Sequence, residues 1–194
     1  MELLIASNNK KKLKELKEIL SDYFDVYSLA EKGINSNPEE TGTTFEENAE
    51  IKAVSAMKAS GLPALADDSG LCVEALNGQP GVYSSRYAGE DGNDSKNNKL
   101  LLKNMEGKEN RKAKFVSSIV LVYPDGRKII ANGECYGEIL KTPRGENGFG
   151  YDPLFYLPEY DKTMAEIDAE LKNKISHRAN AIQKFLEELK ESYK

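Results

Sequence analysis

A mixed α/β fold, a central sheet with helices on its faces, is what this sequence predicts, and three observations predict it. First, the short apolar run Leu3-Leu4-Ile5-Ala6 passes through a polar turn into Leu13, Leu16, Ile19 and Leu20, which recur at helical spacing. Second, Thr44 with Glu47 forms a capping-box signature for a helix carrying Ala49, Ile51, Ala53, Val54, Ala56 and Met57. That helix stops at Gly61 and Pro63, beside the buried-strand run Leu62-Pro63-Ala64-Leu65-Ala66. Third, the runs from Phe115 to Tyr123 and from Lys128 to Leu140 flank Pro124-Asp125-Gly126-Arg127, a turn sequence that joins antiparallel strands. Strand-helix-strand units together with a hairpin make the sheet mixed.

The remaining elements follow in order. Phe24 to Leu29 reads as a second strand. Asn35 to Thr44, polar and carrying Pro38 and Gly42, reads as a loop with Glu39 and Glu40 in its middle. Leu71 to Leu76 is expected to be a strand and Gly78 to Gly81 a turn. Asp94 is expected to cap a helix holding Leu100, Leu101 and Met105. Gly145 to Pro153 is a glycine-rich loop. The last helix is expected from Ser176, because Ala181, Ile182, Phe185, Leu186 and Leu189 repeat every three or four residues behind it, which puts His177 and Arg178 in its first turn. With no internal repeat or long linker, a single domain over 1–194 is expected.

Composition narrows the function classes. A chain of 194 residues with 39% hydrophobic composition can bury a sizeable core. Its 27 basic and 32 acidic residues give a net charge of −5, which argues against nucleic-acid polymer or anionic membrane as a partner. No apolar stretch approaches the ~20 residues of a membrane span. The amino terminus lacks a basic region before a long apolar segment, so a cytoplasmic protein is expected. Cys72 and Cys135 are far apart and outside any Cys-x-x-Cys pair, as expected for small buried side chains. His177 is the only histidine, which confines any histidine-based metal cage or Ser-His-Asp triad to that point.

The residues that can carry chemistry are few. Asp67-Asp68-Ser69-Gly70 follows the apolar run to Ala66 and is expected where a strand leaves the core; it fits a metal site and an ordinary turn alike. Magnesium takes oxygen ligands and commonly needs one or two carboxylates plus waters and phosphates, which Glu39, Glu40, Asp67 and Asp68 can supply. Lys12, Lys172 and Arg178 lie beside expected helix starts and suit phosphate. The lysine run from Lys10 to Lys14 suits a solvated helix face equally well. Phe149, flanked by glycines, either stacks on a nucleobase or is buried to anchor its loop, with Tyr151 and Asp152 beside it.

Taken in order, several motifs run from end to end: Ser7-x-Asn9-x-x-Lys12, Pro38-Glu39-Glu40-Thr41-Gly42, Thr44-Phe45-Glu46-Glu47-Asn48-Ala49 and Ala66-Asp67-Asp68-Ser69-Gly70-Leu71. Gly81-Val82-Tyr83-Ser84-Ser85-Arg86-Tyr87, Gly148-Phe149-Gly150-Tyr151-Asp152-Pro153 and Ser176-His177-Arg178 complete the series. Together they strongly resemble the inosine triphosphate pyrophosphatase family, also called XTP/dITP diphosphatases or the Ham1-like family, over nearly the whole chain. The resemblance implies an elongated fold of two lobes around a central mixed sheet, with the nucleotide in a cleft between them, and a homodimer. It also implies hydrolysis of ITP, dITP and XTP to the nucleoside monophosphate and pyrophosphate, with Mg2+ as cofactor.

Carried onto matching positions, the resemblance makes Glu39 and Asp68 magnesium ligands, Asp68 also the base for the attacking water, and Asp67 a supporting carboxylate. Ser7, Asn9, Lys12, Ser69 and Lys172 would hold phosphates or sugar, in a substrate-binding set that also includes Asn8, Lys10, Lys11 and Gly150. Phe149 would stack on the base, and Tyr151, Asp152, His177 and Arg178 would line its pocket. An arginine donor favours a 6-keto purine over adenine, whose 6-amino group would oppose it. The chain departs from many relatives at Asn8 or Lys11 in the first loop and at Glu146-Asn147 beside the aromatic loop. Two other readings stay open from the residues themselves. One is a phosphatase of small phosphomonoesters, whose chemistry usually shows as Asp-x-Asp; the other is a nucleotide-binding module without catalysis.

Overall fold

The computed structural model describes residues 1–192. Among them, the strands form one seven-stranded sheet in the order β2-β1-β3-β4-β5-β6-β7. The strands are β1 (Glu2–Ile5), β2 (Asp25–Ser28), β3 (Ala64–Val73), β4 (Lys112–Val122), β5 (Lys128–Ile139), β6 (Phe155–Leu157) and β7 (Lys162–Thr163). β1 pairs in parallel with β2 and β3, whereas β5 with β6 and β6 with β7 are antiparallel, so the sheet is mixed as the sequence predicts. The turn between β4 and β5 is closed by Tyr123 N–H to the Arg127 carbonyl at 2.9 Å.

The helices are α1 (Lys10–Leu20), α2 (Phe45–Ser60), α3 (Asp94–Asn104), α4 (Ala169–Ile175) and α5 (His177–Ser192). α2 has the capping box read from the sequence: Thr44 accepts from Glu47 N–H at 3.1 Å while the Glu47 carboxylate takes Thr44 N–H at 3.2 Å. Its left-handed C-cap is Gly61, a conformation that glycine adopts without a Cβ penalty. Caps of this kind stabilise a helix by about 1 kcal/mol.

Three expectations are corrected and one element is added. The chain does not turn at Ser69-Gly70; β3 continues unbroken through the acidic tetrad to Val73. The strand expected to Leu76 ends there, giving way to a single 3-10 turn, Glu74–Leu76. α3 is capped by Asn93 rather than Asp94. The last helix, α5, starts at His177 directly after Ser176, with His177 and Arg178 in its first turn as expected, and a further short helix, α4, capped by Asp168, precedes it. α4, β6 and β7 are too short to leave a periodic trace, and no unbroken aliphatic run like that of β1 marks them.

The chain divides into two compact units: one of residues Met1–Asp68, Ser117–Gly133 and the chain from Arg178 on, the other of Ser69–Val116 and Glu134–His177. In the first, β1 is buried on both faces, as its unbroken apolar run requires. Leu3 and Ile5 pack with Leu16 and Leu20 of α1 and with Ile182 and Phe185 of α5. Leu4 and Ala6 pack with Ala49, Ala53 and Ala56 of α2. In the second unit, Leu71 and Val73 join Leu101, Phe115, Tyr151, Phe155 and Met164 in one core.

Candidate active site

Because side chains alternate along a strand, two neighbouring residues of β3 must point to opposite faces of the sheet. Leu65 joins the core that contains α1 and α5, whereas Ala64 and Ala66 join the core that contains α2. Asp67 therefore faces α1 and α5, and Asp68 faces α2. The tetrad read as paired carboxylates is two separate sites.

Asp67 is 2% exposed. Its Oδ2 meets Lys12 Nζ at 3.0 Å and accepts from Arg178 Nη2 at 3.2 Å, while Oδ1 accepts from the Ser117 hydroxyl. Arg178 also donates through Nη1 to Glu15 of α1. Burial by itself would push the Asp67 carboxyl up, but Arg178, Lys12 and Ser117 outweigh it and hold the group well below the usual carboxylate range. Asp67 is thus held as an anion at neutral pH, paired with both Lys12 and Arg178.

Asp68 lies in a different field. Its Oδ1 accepts from Lys52 Nζ of α2 at 2.9 Å. Lys52 also approaches Glu40 Oε1 at 3.4 Å. Oδ2 is buried and has no hydrogen-bond partner among the described residues. Burial raises the Asp68 pKa; Lys52 and Lys12 oppose the rise and Glu40 adds to it. A buried carboxylate oxygen without a donor is costly unless a ligand supplies the partner, so Oδ2 is open to a cation or a water.

The loop before α2 is fixed onto that helix. Gly42 N–H donates to Asn48 Oδ1 at 2.8 Å and Thr43 N–H to Glu47 Oε2 at 2.6 Å. A Cβ on Gly42 would meet Asn48 Oδ1 at 2.6 Å and Glu47 Cβ at 2.7 Å, so only glycine fits there. Of the two loop glutamates, Glu40 is half-buried beside Lys52, whereas Glu39 is exposed. Among the described residues no group of three or more His, Cys, Asp or Glu side chains is placed to hold a metal. One or two carboxylates suffice for magnesium when phosphates and water complete the shell.

In the first loop, Asn9 caps α1, accepting from Lys11 and Lys12 N–H at 3.0 and 3.1 Å, and its own N–H donates to the Ser7 hydroxyl at 3.2 Å. Asn8, Lys10 and Lys11 are exposed there, consistent with a solvated helix start.

The second unit holds the aromatic loop. Asp152 Oδ2 accepts from Phe149 N–H at 2.9 Å and from Lys172 Nζ at 2.8 Å, and Lys172 Nζ lies 4.8 Å from the centre of the Phe149 ring. Gly148 adopts φ +74°, and a Cβ there would run into the Asp152 carboxylate. Gly150 is tied to α3, its N–H donating to Asp94 at 2.8 Å and its carbonyl accepting from Asn98 at 2.8 Å. Tyr151 is buried and donates its hydroxyl to the Ser84 carbonyl at 2.7 Å. Tyr151 is thus the loop's anchor, while Phe149 is only half-buried. His177 stacks on Phe115, with ring centres 4.8 Å apart.

The structure thus brings Asp67, Lys12 and Arg178 together, and separately Phe149, Asp152 and Lys172. Arg178, 2% exposed, has its guanidinium on Asp67 and Glu15. Ser69, half-buried on β3, falls in the second unit. Lys52, Glu15 and Ser117 were not read as site residues. Lys52 left a signal: with Ala49, Ala53 and Ala56 it falls at i, i+3, i+4 and i+7, a charge inside a buried helical stripe.

Comparison with known proteins decides the family. The Ham1 family model matches residues 3–188. The chain belongs to the Ham1 family. It is 55% identical over 185 residues to the dITP/XTP pyrophosphatase of Haemophilus influenzae, covering 93% of this chain and 94% of that protein. It is 50% identical over 196 residues to the dITP/XTP pyrophosphatase of Clostridium perfringens, covering 96% of each. The solved structure of the Staphylococcus aureus Ham1 protein superposes with a TM-score of 0.89 at 46% identity, covering 100% of both chains. In this Ham1-family chain, no helix among the described residues is long and apolar enough to cross a membrane.

Proposed function

We propose that this chain hydrolyses the non-standard purine nucleoside triphosphates dITP, XTP and ITP to the nucleoside monophosphate and pyrophosphate, with Mg2+ as cofactor. Its relatives over more than nine-tenths of its length bear the names of that activity. The observation that carries the chemistry is Asp68: a buried carboxylate of raised pKa whose Oδ1 is held by Lys52 and whose Oδ2 has no partner among the described residues.

That donor set fits magnesium, which Asp68 would hold with Glu39, while Glu40 of the same loop lies beside Lys52. When bound, the ion neutralises phosphate charge and stabilises the leaving pyrophosphate. Asp68 acts through Oδ2 as the base that orients and deprotonates the water attacking the α-phosphorus; a raised pKa brings a carboxylate nearer the neutral range where such a base is efficient. Lys12, held by Asp67, presents its ammonium to phosphate, and Ser7, Asn8, Asn9, Lys10, Lys11 and Ser69 belong to the same substrate-binding set.

Phe149 stacks on the purine, and Lys172 with Asp152 sets the ring's position. Gly150, Tyr151 and His177 shape the same loop region. Arg178 contributes by fixing Asp67. A homodimer in the cytoplasm is the setting we carry over from the family.

Product analysis tests the proposal. The purified protein with magnesium should release pyrophosphate from dITP, XTP and ITP and turn over ATP and GTP far more slowly. Orthophosphate as the product, or equal rates with ATP and ITP, would refute it.

A further inference from the structure

Lys52 is placed where a metal's charge would go. Its ammonium lies 2.9 Å from Asp68 Oδ1 and 3.4 Å from Glu40 Oε1, on a side chain 16% exposed. It reaches that spot from a position of α2 otherwise given to small apolar residues, with Ala49, Ala53 and Ala56 all buried. A lysine in such a stripe is unfavourable unless it is paired. Here it is paired with Asp68 of the proposed metal site and with Glu40 of the adjacent loop, and the net charge of the trio is −1.

From this we infer that Lys52 is a built-in counter-ion that keeps the affinity of the free enzyme for a bare divalent cation low. The inference rests on the reading of Asp68 as a metal ligand given above. A divalent ion held by Asp68 must displace that ammonium from the carboxylate and binds against its like charge, in a buried setting where screening is weak. A polyphosphate arriving with the ion supplies the missing negative charge. The ion is then retained together with nucleotide and only weakly without it.

This differs from a purely structural role for Lys52, in which its removal would cost stability and leave metal affinity unchanged or lower. The two are separated by titrating the full-length protein with Mn2+ alone, following free Mn2+ by electron paramagnetic resonance. Wild type, Lys52→Met, Lys52→Arg and Asp68→Asn are compared, with circular dichroism to confirm folding. Lys52→Met is expected to bind Mn2+ roughly tenfold more tightly or better, the scale of removing one like charge at this distance. Lys52→Arg should stay near wild type, and Asp68→Asn should lose the site. Independently, acylation of the Lys52 amine, quantified by mass spectrometry in the wild-type protein, should rise when Mn2+ is added.

Unchanged or weaker Mn2+ binding in folded Lys52→Met, while Asp68→Asn still abolishes it, overturns the counter-ion role and leaves the metal assignment standing. Mn2+ binding that ignores Asp68→Asn removes the metal assignment itself, and this inference with it. If Lys52→Met does not fold, the labelling decides: Lys52 reactivity that does not rise with Mn2+ overturns the inference.

Discussion

Asp67 and Asp68, adjacent in sequence, point to opposite faces of β3, the first to Lys12 and Arg178 and the second to Lys52. Strand alternation therefore divides the labour that the sequence leaves shared. One carboxylate is held as an anion beneath α1 and α5; the other, beneath α2, keeps an oxygen without a hydrogen-bond partner among the described residues.

Asp67→Asn removes the anion between the buried Arg178 and the half-buried Lys12. Breaking a buried pair in this way costs about 3–5 kcal/mol, so denaturant unfolding at neutral pH should show a loss of that size. Because the folded-state pKa of Asp67 is depressed, its contribution is present above the ordinary value of 3.8 and is lost as pH falls toward the folded value. The stability curves of wild type and Asp67→Asn should converge as pH drops below that value.

The pH profile of kcat/KM should fall on the acid side as Asp68 is protonated. Without metal its pKa is raised, chiefly by burial; a cation bound at the carboxylate lowers it, so the midpoint should move to lower pH as free magnesium is raised. Steady-state kinetics at low and high free magnesium measure it, and Asp67, whose shift has the opposite sign, contributes nothing in that range.

Phe149→Ala takes away the half-buried ring over which Lys172 sits. Stacking on a base is worth about 1–3 kcal/mol, so KM for dITP should rise by roughly one to two orders of magnitude, with Phe149→Tyr close to wild type.

Gly148→Ala drives a Cβ into the Asp152 carboxylate at a positive φ. The loop must shift to accept it, separating Phe149 from Lys172. kcat/KM should drop by at least about tenfold, while the melting temperature changes little, because the loop residues from Lys141 to Gly148 are exposed.

The long periodic segments were legible: α1, α2 and the β4-β5 hairpin lie where apolar spacing, the Thr44-Glu47 box and Pro124-Asp125-Gly126 put them. The acidic tetrad was not, because two aspartates and a glycine read as a strand end. What keeps β3 straight through them is tertiary: Lys12, Arg178 and Ser117 satisfy Asp67 from distant parts of the chain. The motifs do not show that Tyr151 donates to the Ser84 carbonyl or that Arg178 pairs with Asp67 and Glu15. Those roles depend on which face of an element a residue occupies. Of Lys52, Glu15 and Ser117, Lys52 alone carries a sequence signal, a charge in an alanine stripe.

The most direct test of the central claim is Asp68→Asn, assayed for dITP turnover and for nucleotide binding in the same preparation. Turnover should fall by about 10²–10⁴-fold or more, the contribution of a positioned general base, while nucleotide affinity in the absence of metal stays within a few-fold of wild type. Turnover that survives the substitution would contradict the assignment of Asp68 as the catalytic carboxylate.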